Sequence, residues 1–148
     1  MTNRFNYVMD RLVKAFFNEN LVPKDCQKCA VGNIVGSSIW GQIFSTDDGT
    51  QFFFEKGVDT PPHVYTRAEN LIKSTGYSVE EMARIEYAFE VNTNYHKLHL
   101  REKKITRDEY IQDQFNGLCA VVDVLCAMEN IENSQYYKEV LREKPEVV

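Results

Sequence analysis

Two cysteines three residues apart, Cys26-Gln-Lys-Cys29, mark the point where residue type and spacing come closest to chemistry. Asp25 precedes them and Pro23 ends the connection before it, so the pair is expected to open a helix capped by Asp25. On a first helical turn, free N–H groups and the helix dipole favour a thiolate, and Lys28 adds positive charge. Such a pair could form a disulfide, hold one metal ion from one side, or serve packing alone. A thioredoxin-like reading expects a strand and a βαβ unit around the motif, whereas a helical pattern and Pro23 stand there instead. Zinc would suit Cys26 and Cys29, but a structural site needs about four ligands and one CxxC supplies half of them. His96 and His99 could complete the set, with a gap shorter than the usual finger spacing. Cys119 and Cys126 are the other candidates, and their position beside an apolar stripe equally suits small buried hydrophobes. The expectation is a chain without a cofactor, with zinc at the CxxC as the alternative.

Asp123 stands among apolar neighbours in Ala120-Val-Val-Asp-Val-Leu-Cys126 and shares a helical face with Asn116, Cys119 and Cys126. A half-buried carboxylate there needs donors, and could orient a ligand or polarise the thiols or Asn33. The simpler reading places it at the edge of the stripe, wet or bonded to Lys or Arg. A second candidate surface is basic: residues 96–107 carry five cations, Lys97, Arg101, Lys103, Lys104 and Arg107, against one acid, Glu102, with His96 and His99 beside them. Lysine point charges and forked arginine donors suit a phosphate or another small anion. A solvated connection between helices would have the same composition. Glu86 and Glu90 lie one turn apart but lack histidines at ExxH spacing, so a solvated face is expected rather than a di-metal centre. No phosphate loop, dinucleotide fingerprint, HExxH or GxSxG is present. Asp47-Asp-Gly49 fits a calcium loop poorly, since Phe44 falls where the first acidic ligand belongs.

The string Cys26-Gln-Lys-Cys29-Ala-Val-Gly-Asn33 resembles a CxxCAVGN element of small bacterial and bacteriophage proteins of unassigned activity. The segments Gly76-Tyr-Ser-Val-Glu-Glu-Met-Ala-Arg-Ile-Glu86 and Gly117-Leu-Cys-Ala-Val-Val-Asp-Val-Leu-Cys126 share that resemblance. It implies that Cys26, Cys29 and Asn33 matter without giving them a role, and a phage-type origin implies modulation of a host pathway.

The elements that must position these residues read as helices. Phe5, Val8, Met9, Leu12, Val13 and Phe16 give an amphipathic helix from Asn3 to Asn18. In the CxxC helix, Gly32 and Gly36 each cost about 1 kcal/mol relative to alanine, so a close backbone approach is expected there. Capping boxes at Thr66-Arg-Ala-Glu69, Ser78-Val-Glu-Glu81 and Thr106-Arg-Asp-Glu109 open three more helices. The last, from Arg107 to Asn130, is expected to be central, with Ile111, Phe115, Leu118, Val122 and Leu125 inward. A final helix runs from Ser134 to Glu143, and the tail from about 144 frays. Residues 40–55 carry β-formers around Asp47-Asp48-Gly49, which suits a small hairpin, or a helix through Phe44 followed by a loop.

The expected fold is therefore mainly α, one domain over residues 1–148 built as a bundle of five to six helices. With 148 residues, 43% hydrophobic, nine Phe and eight Tyr, the chain can bury a core without staples. A net charge of −5 opposes general nucleic-acid binding. No apolar run approaches the roughly 18 residues of a membrane span, and no export signal opens the chain, so a cytoplasmic protein is expected. The functional expectation is a non-enzymatic binding protein for a protein partner or small anionic ligand, able to act as a homodimer. The alternative is a metal-binding or thiol-redox protein centred on Cys26 and Cys29.

Overall fold

The amphipathic first segment forms α1, Asn3–Phe17, which turns Phe5, Val8, Leu12, Ala15 and Phe16 inward. Glu19 ends it in a left-handed conformation, φ 57°, and Asn20 N–H then reaches the Ala15 carbonyl at 2.8 Å. The computed structural model of the chain describes residues 3–22, 29–36, 66 and 69–142. Asp25, Cys26, the hairpin segment 40–55 and the tail from 144 lie outside the described residues.

The CxxC region differs from expectation. The helix there is α2, Ala30–Val35, and Cys29 is its N-cap, with an extended backbone (φ −70°, ψ 174°). Cys29 therefore lies before the first helical turn instead of within it. Gly36 closes α2 at φ 105°, and no described atom outside its neighbours lies within 4 Å of where its Cβ would be. Its reason is the backbone conformation of a helix end, not a close approach.

Thr66 is already helical, where a cap was expected, and residues 69–72 are helical too. A 3-10 turn, Lys73–Thr75, follows and stops at Gly76, φ 83°. Beyond it, α3 spans Val79–Val91 behind the Ser78–Glu81 capping box. The short α4, Lys97–Arg101, leads to α5, Arg107–Met128, which opens on the Thr106–Glu109 box. Finally α6 covers Ser134–Arg142. The described residues are mostly helical and contain no strand, and none of their helices is long and apolar enough to cross a membrane.

α5 packs against α3, α6, α1 and α4, while α2 rests on α1 and α3. One apolar cluster draws on every helix except α4, and each fully buried Leu, Ile or Phe in it contributes about 1.5–3 kcal/mol. Leu118, Val122 and Leu125 are completely buried as the stripe predicts, joined by Tyr110 and Val121. Ile111 and Phe115 are only partly buried, packed against the edge of this cluster. At the α3–α5 contact a Cβ on Gly117 would stand 2.4 Å from Thr93 Cγ2 and 2.8 Å from Phe89 Cδ1. Here the packing is close enough to require glycine. A polar tie closes the other end: Arg4 Nε donates to Glu129 Oε1 at 2.6 Å and Arg4 Nη1 to the Gly76 carbonyl at 3.1 Å. The Arg4 guanidinium also stacks 4.3 Å from the Tyr77 ring centroid.

Candidate functional site

Cys29 is completely buried. Its Sγ accepts from Gly32 N–H at 3.3 Å, while its carbonyl accepts from Asn33 N–H and from Asn33 Nδ2, both at 3.0 Å. Asn33 Nδ2 also donates to the Asn20 carbonyl at 2.9 Å, so this one amide ties the end of α1 to the start of α2. Another first-turn donor is met from α3: Glu86 Oε1 accepts from Val31 N–H at 2.9 Å. Glu86 is 0% exposed, which corrects the solvated face expected for Glu86 and Glu90. A carboxylate at the positive end of a helix is stabilised in the interior as it would not be alone. The N-terminus of α2 is thus occupied by the protein itself.

Asp123 lies elsewhere. Its Oδ1 accepts from Ser134 Oγ at 2.9 Å, and Lys138 Nζ stands 2.7 Å from the same oxygen. The Cys119–Asp123–Cys126 face of α5 therefore turns to α6, whereas Cys29 is held among α1, α2 and α3. Burial pushes both the Cys119 and Cys126 thiols up; Asp123 adds to this, and Lys138 opposes it. Among the described residues no three of His, Cys, Asp and Glu gather closely enough to hold a metal ion.

The basic segment is built with care. Asp113, 4% exposed on α5, accepts from Asn94 N–H at 2.9 Å and from Tyr95 N–H at 2.9 Å. That carboxylate fixes the turn leading into α4. His96 then caps α4, its Nδ1 accepting from Leu98 N–H at 3.1 Å, and His99 Nδ1 accepts from His96 N–H at 3.0 Å. Lys103 takes a left-handed φ of 58°, and Lys104 N–H closes the helix on the His99 carbonyl at 2.9 Å. Lys104 pairs with Glu102 at 2.9 Å, a hydrogen bond that lowers the Glu102 carboxyl below its usual range. Arg107 pairs with Glu19. Lys97, Arg101 and Lys103 have no ion pair among the described residues. The seven candidate residues thus share one short stretch, but only three of its five cations are left without an acid among the described residues.

A groove of about 320 Å³ between α1, α5 and α6 was not anticipated; Phe16, Ile111, Gln112, Phe115, Leu141 and Arg142 line it. An arginine in the last turn of α6 and a phenylalanine at the edge of the α5 stripe were visible, but only tertiary packing brings them to Phe16. Comparison with family models, curated proteins and solved structures gives no match.

Proposed function

We propose that this chain is a non-enzymatic binding protein whose α4 edge recognises an anionic group on a small ligand or protein partner. The observation that carries this reading is the set Lys97, Arg101 and Lys103, without acidic partners among the described residues, on a backbone pinned by Asp113 and the two histidine caps. Preorganised cations lose less entropy on binding than cations on a loose loop. A helical bundle acting by occupancy rather than turnover suits modulation of a host pathway in the cytoplasm, as the phage-like element implies, and a homodimer would present two such edges.

The test is calorimetric titration with inorganic phosphate, pyrophosphate and a poly-glutamate peptide. Replacing both Arg101 and Lys103 by Gln should weaken at least one of these about ten-fold or more, with a shallower salt dependence. Lys14→Gln, on α1 and already paired with Asp10, should leave binding intact. Unchanged affinity in the double variant would reject the α4 edge as the site.

A further inference from the structure

We infer that the groove between α1, α5 and α6 is a second binding site, independent of the α4 edge, for a small monoanion with an apolar body. Its walls come from Phe16, Ile111, Phe115 and Leu141, with Gln112 and Arg142 as its polar members. The Phe16 and Phe115 rings stand 6.1 Å apart at 49°, a tilted pair against which a third ring or a branched aliphatic group can pack. Leu141 is 1% exposed and Phe16 7%, so the floor is rigid core rather than loose surface. The volume of about 320 Å³ falls at the lower end of small-molecule sites, which begin near 300 Å³.

Charge complementarity selects the occupant. The Arg142 guanidinium lies 5.3 Å from the Phe115 ring centroid, at the rim of the apolar wall, and has no ion pair among the described residues. A guanidinium placed over the ring keeps its N–H donors for a forked contact with a carboxylate. Gln112 brings no charge, and its Nε2 already donates to Asn116 Oδ1 at 2.9 Å. Nearby, the charges are already matched. Arg107, one turn before Ile111 on the same face, is held by Glu19, and Lys138 is held by Asp123. One cation beside one apolar wall describes a carboxylate on an aryl or branched-alkyl body, not a polyphosphate.

Phenylbutyrate and its uncharged counterpart phenylbutanamide are suitable probes, followed through backbone amide shifts. Phenylbutyrate should bind saturably and move the amides of Ile111, Phe115 and Leu141. Arg142→Gln should weaken it about ten-fold or more, the scale of one charge-assisted contact, and leave phenylbutanamide unchanged. Arg142→Lys should recover part of the loss. The Arg101→Gln, Lys103→Gln variant should bind phenylbutyrate normally, so failure of the α4 reading is scored separately. The inference is overturned by three results: no saturable binding up to about 10 mM probe, equal weakening of acid and amide by Arg142→Gln, or shifts confined to α4. An acidic peptide that fills the groove when phenylbutyrate does not would also overturn it.

Discussion

Gly117 offers the most direct test of how α3 and α5 are held. Alanine there would gain about 1 kcal/mol of intrinsic helix stability, so in isolation the substitution is favourable. The packing acts the other way. The new Cβ would stand 2.4 Å from Thr93 Cγ2, 2.8 Å from Phe89 Cδ1 and 3.0 Å from Phe89 Cε1, where ordinary carbon contacts begin near 3.5 Å. Phe89 is completely buried and cannot swing into solvent, so α3 and α5 must separate locally. Overpacking of this kind costs about 1–3 kcal/mol, and the contact at Gly117 belongs at the upper end. Gly117→Ala should therefore lose about 1–2 kcal/mol net, a fall of roughly 1 M in the urea midpoint for m near 1–3 kcal/mol/M. Thr93→Ser removes Cγ2 but keeps the hydroxyl that donates to the Phe89 carbonyl at 2.9 Å. In a double-mutant cycle it should restore about half of the loss, a coupling of about 1 kcal/mol. Equilibrium urea unfolding of the four proteins is the assay. If Gly117→Ala is as stable as the parent, or the two substitutions are additive, the close approach does not limit the packing.

Two further outcomes follow from groups away from the candidate surfaces. Burial, reinforced by the Glu129 charge and opposed by Arg4, raises the Tyr77 hydroxyl above the ordinary tyrosine value. Below about pH 10 both folded and unfolded chains keep that proton; above it the unfolded chain releases it first, so stability falls as pH rises. Urea midpoints between about pH 9 and 11.5 should drop more steeply for the parent than for Tyr77→Phe, and parallel curves would contradict the buried assignment. Alkylation of the native protein, mapped by peptide mass, should modify Cys119 ahead of Cys29 and Cys126, which are 0% and 2% exposed. Burial pushes the Cys119 thiol up, with Lys138 and Arg142 opposing, so its rate should trail that of a free thiol at pH 8. Cys29 reacting as fast as Cys119 would mean that the α2 cap opens readily.

The parts of the fold legible in the sequence are those whose signals are local. The starts of α3 and α5 could be read because Ser78 with Glu81, and Thr106 with Glu109, complete a cap within four residues. The bounds of α1 and α6 followed from apolar spacing on one face. Where the deciding partner is distant, the same rules mislead. Asp25 is a better intrinsic cap than cysteine, yet α2 starts after Cys29, with Glu86 brought to Val31 N–H from 55 residues away. Glu86 and Glu90 read as a wet pair because nothing near them shows that a helix terminus will be laid over one of them. The charges of the basic segment were countable, but Arg107 is neutralised by Glu19, 88 residues distant.

The CxxC motif shows what such distant partners do to a chemical reading. A thiol at a helix start is reactive when it is exposed and the terminal N–H groups have nothing else to bind. At Cys29 neither condition holds. The side chain is sealed, its sulfur meets Gly32 N–H, and Glu86 meets Val31 N–H. Asn33 then spends both of its amide hydrogens on the carbonyls of Asn20 and Cys29. These contacts explain why Cys29 and Asn33 stand at their places in the motif without invoking a substrate. They also couple α1, α2 and α3 through polar contacts that an apolar core alone would not orient. The sites left for recognition are then surfaces where charge is positioned but unmatched among the described residues, and both α4 and the Arg142 rim meet that condition.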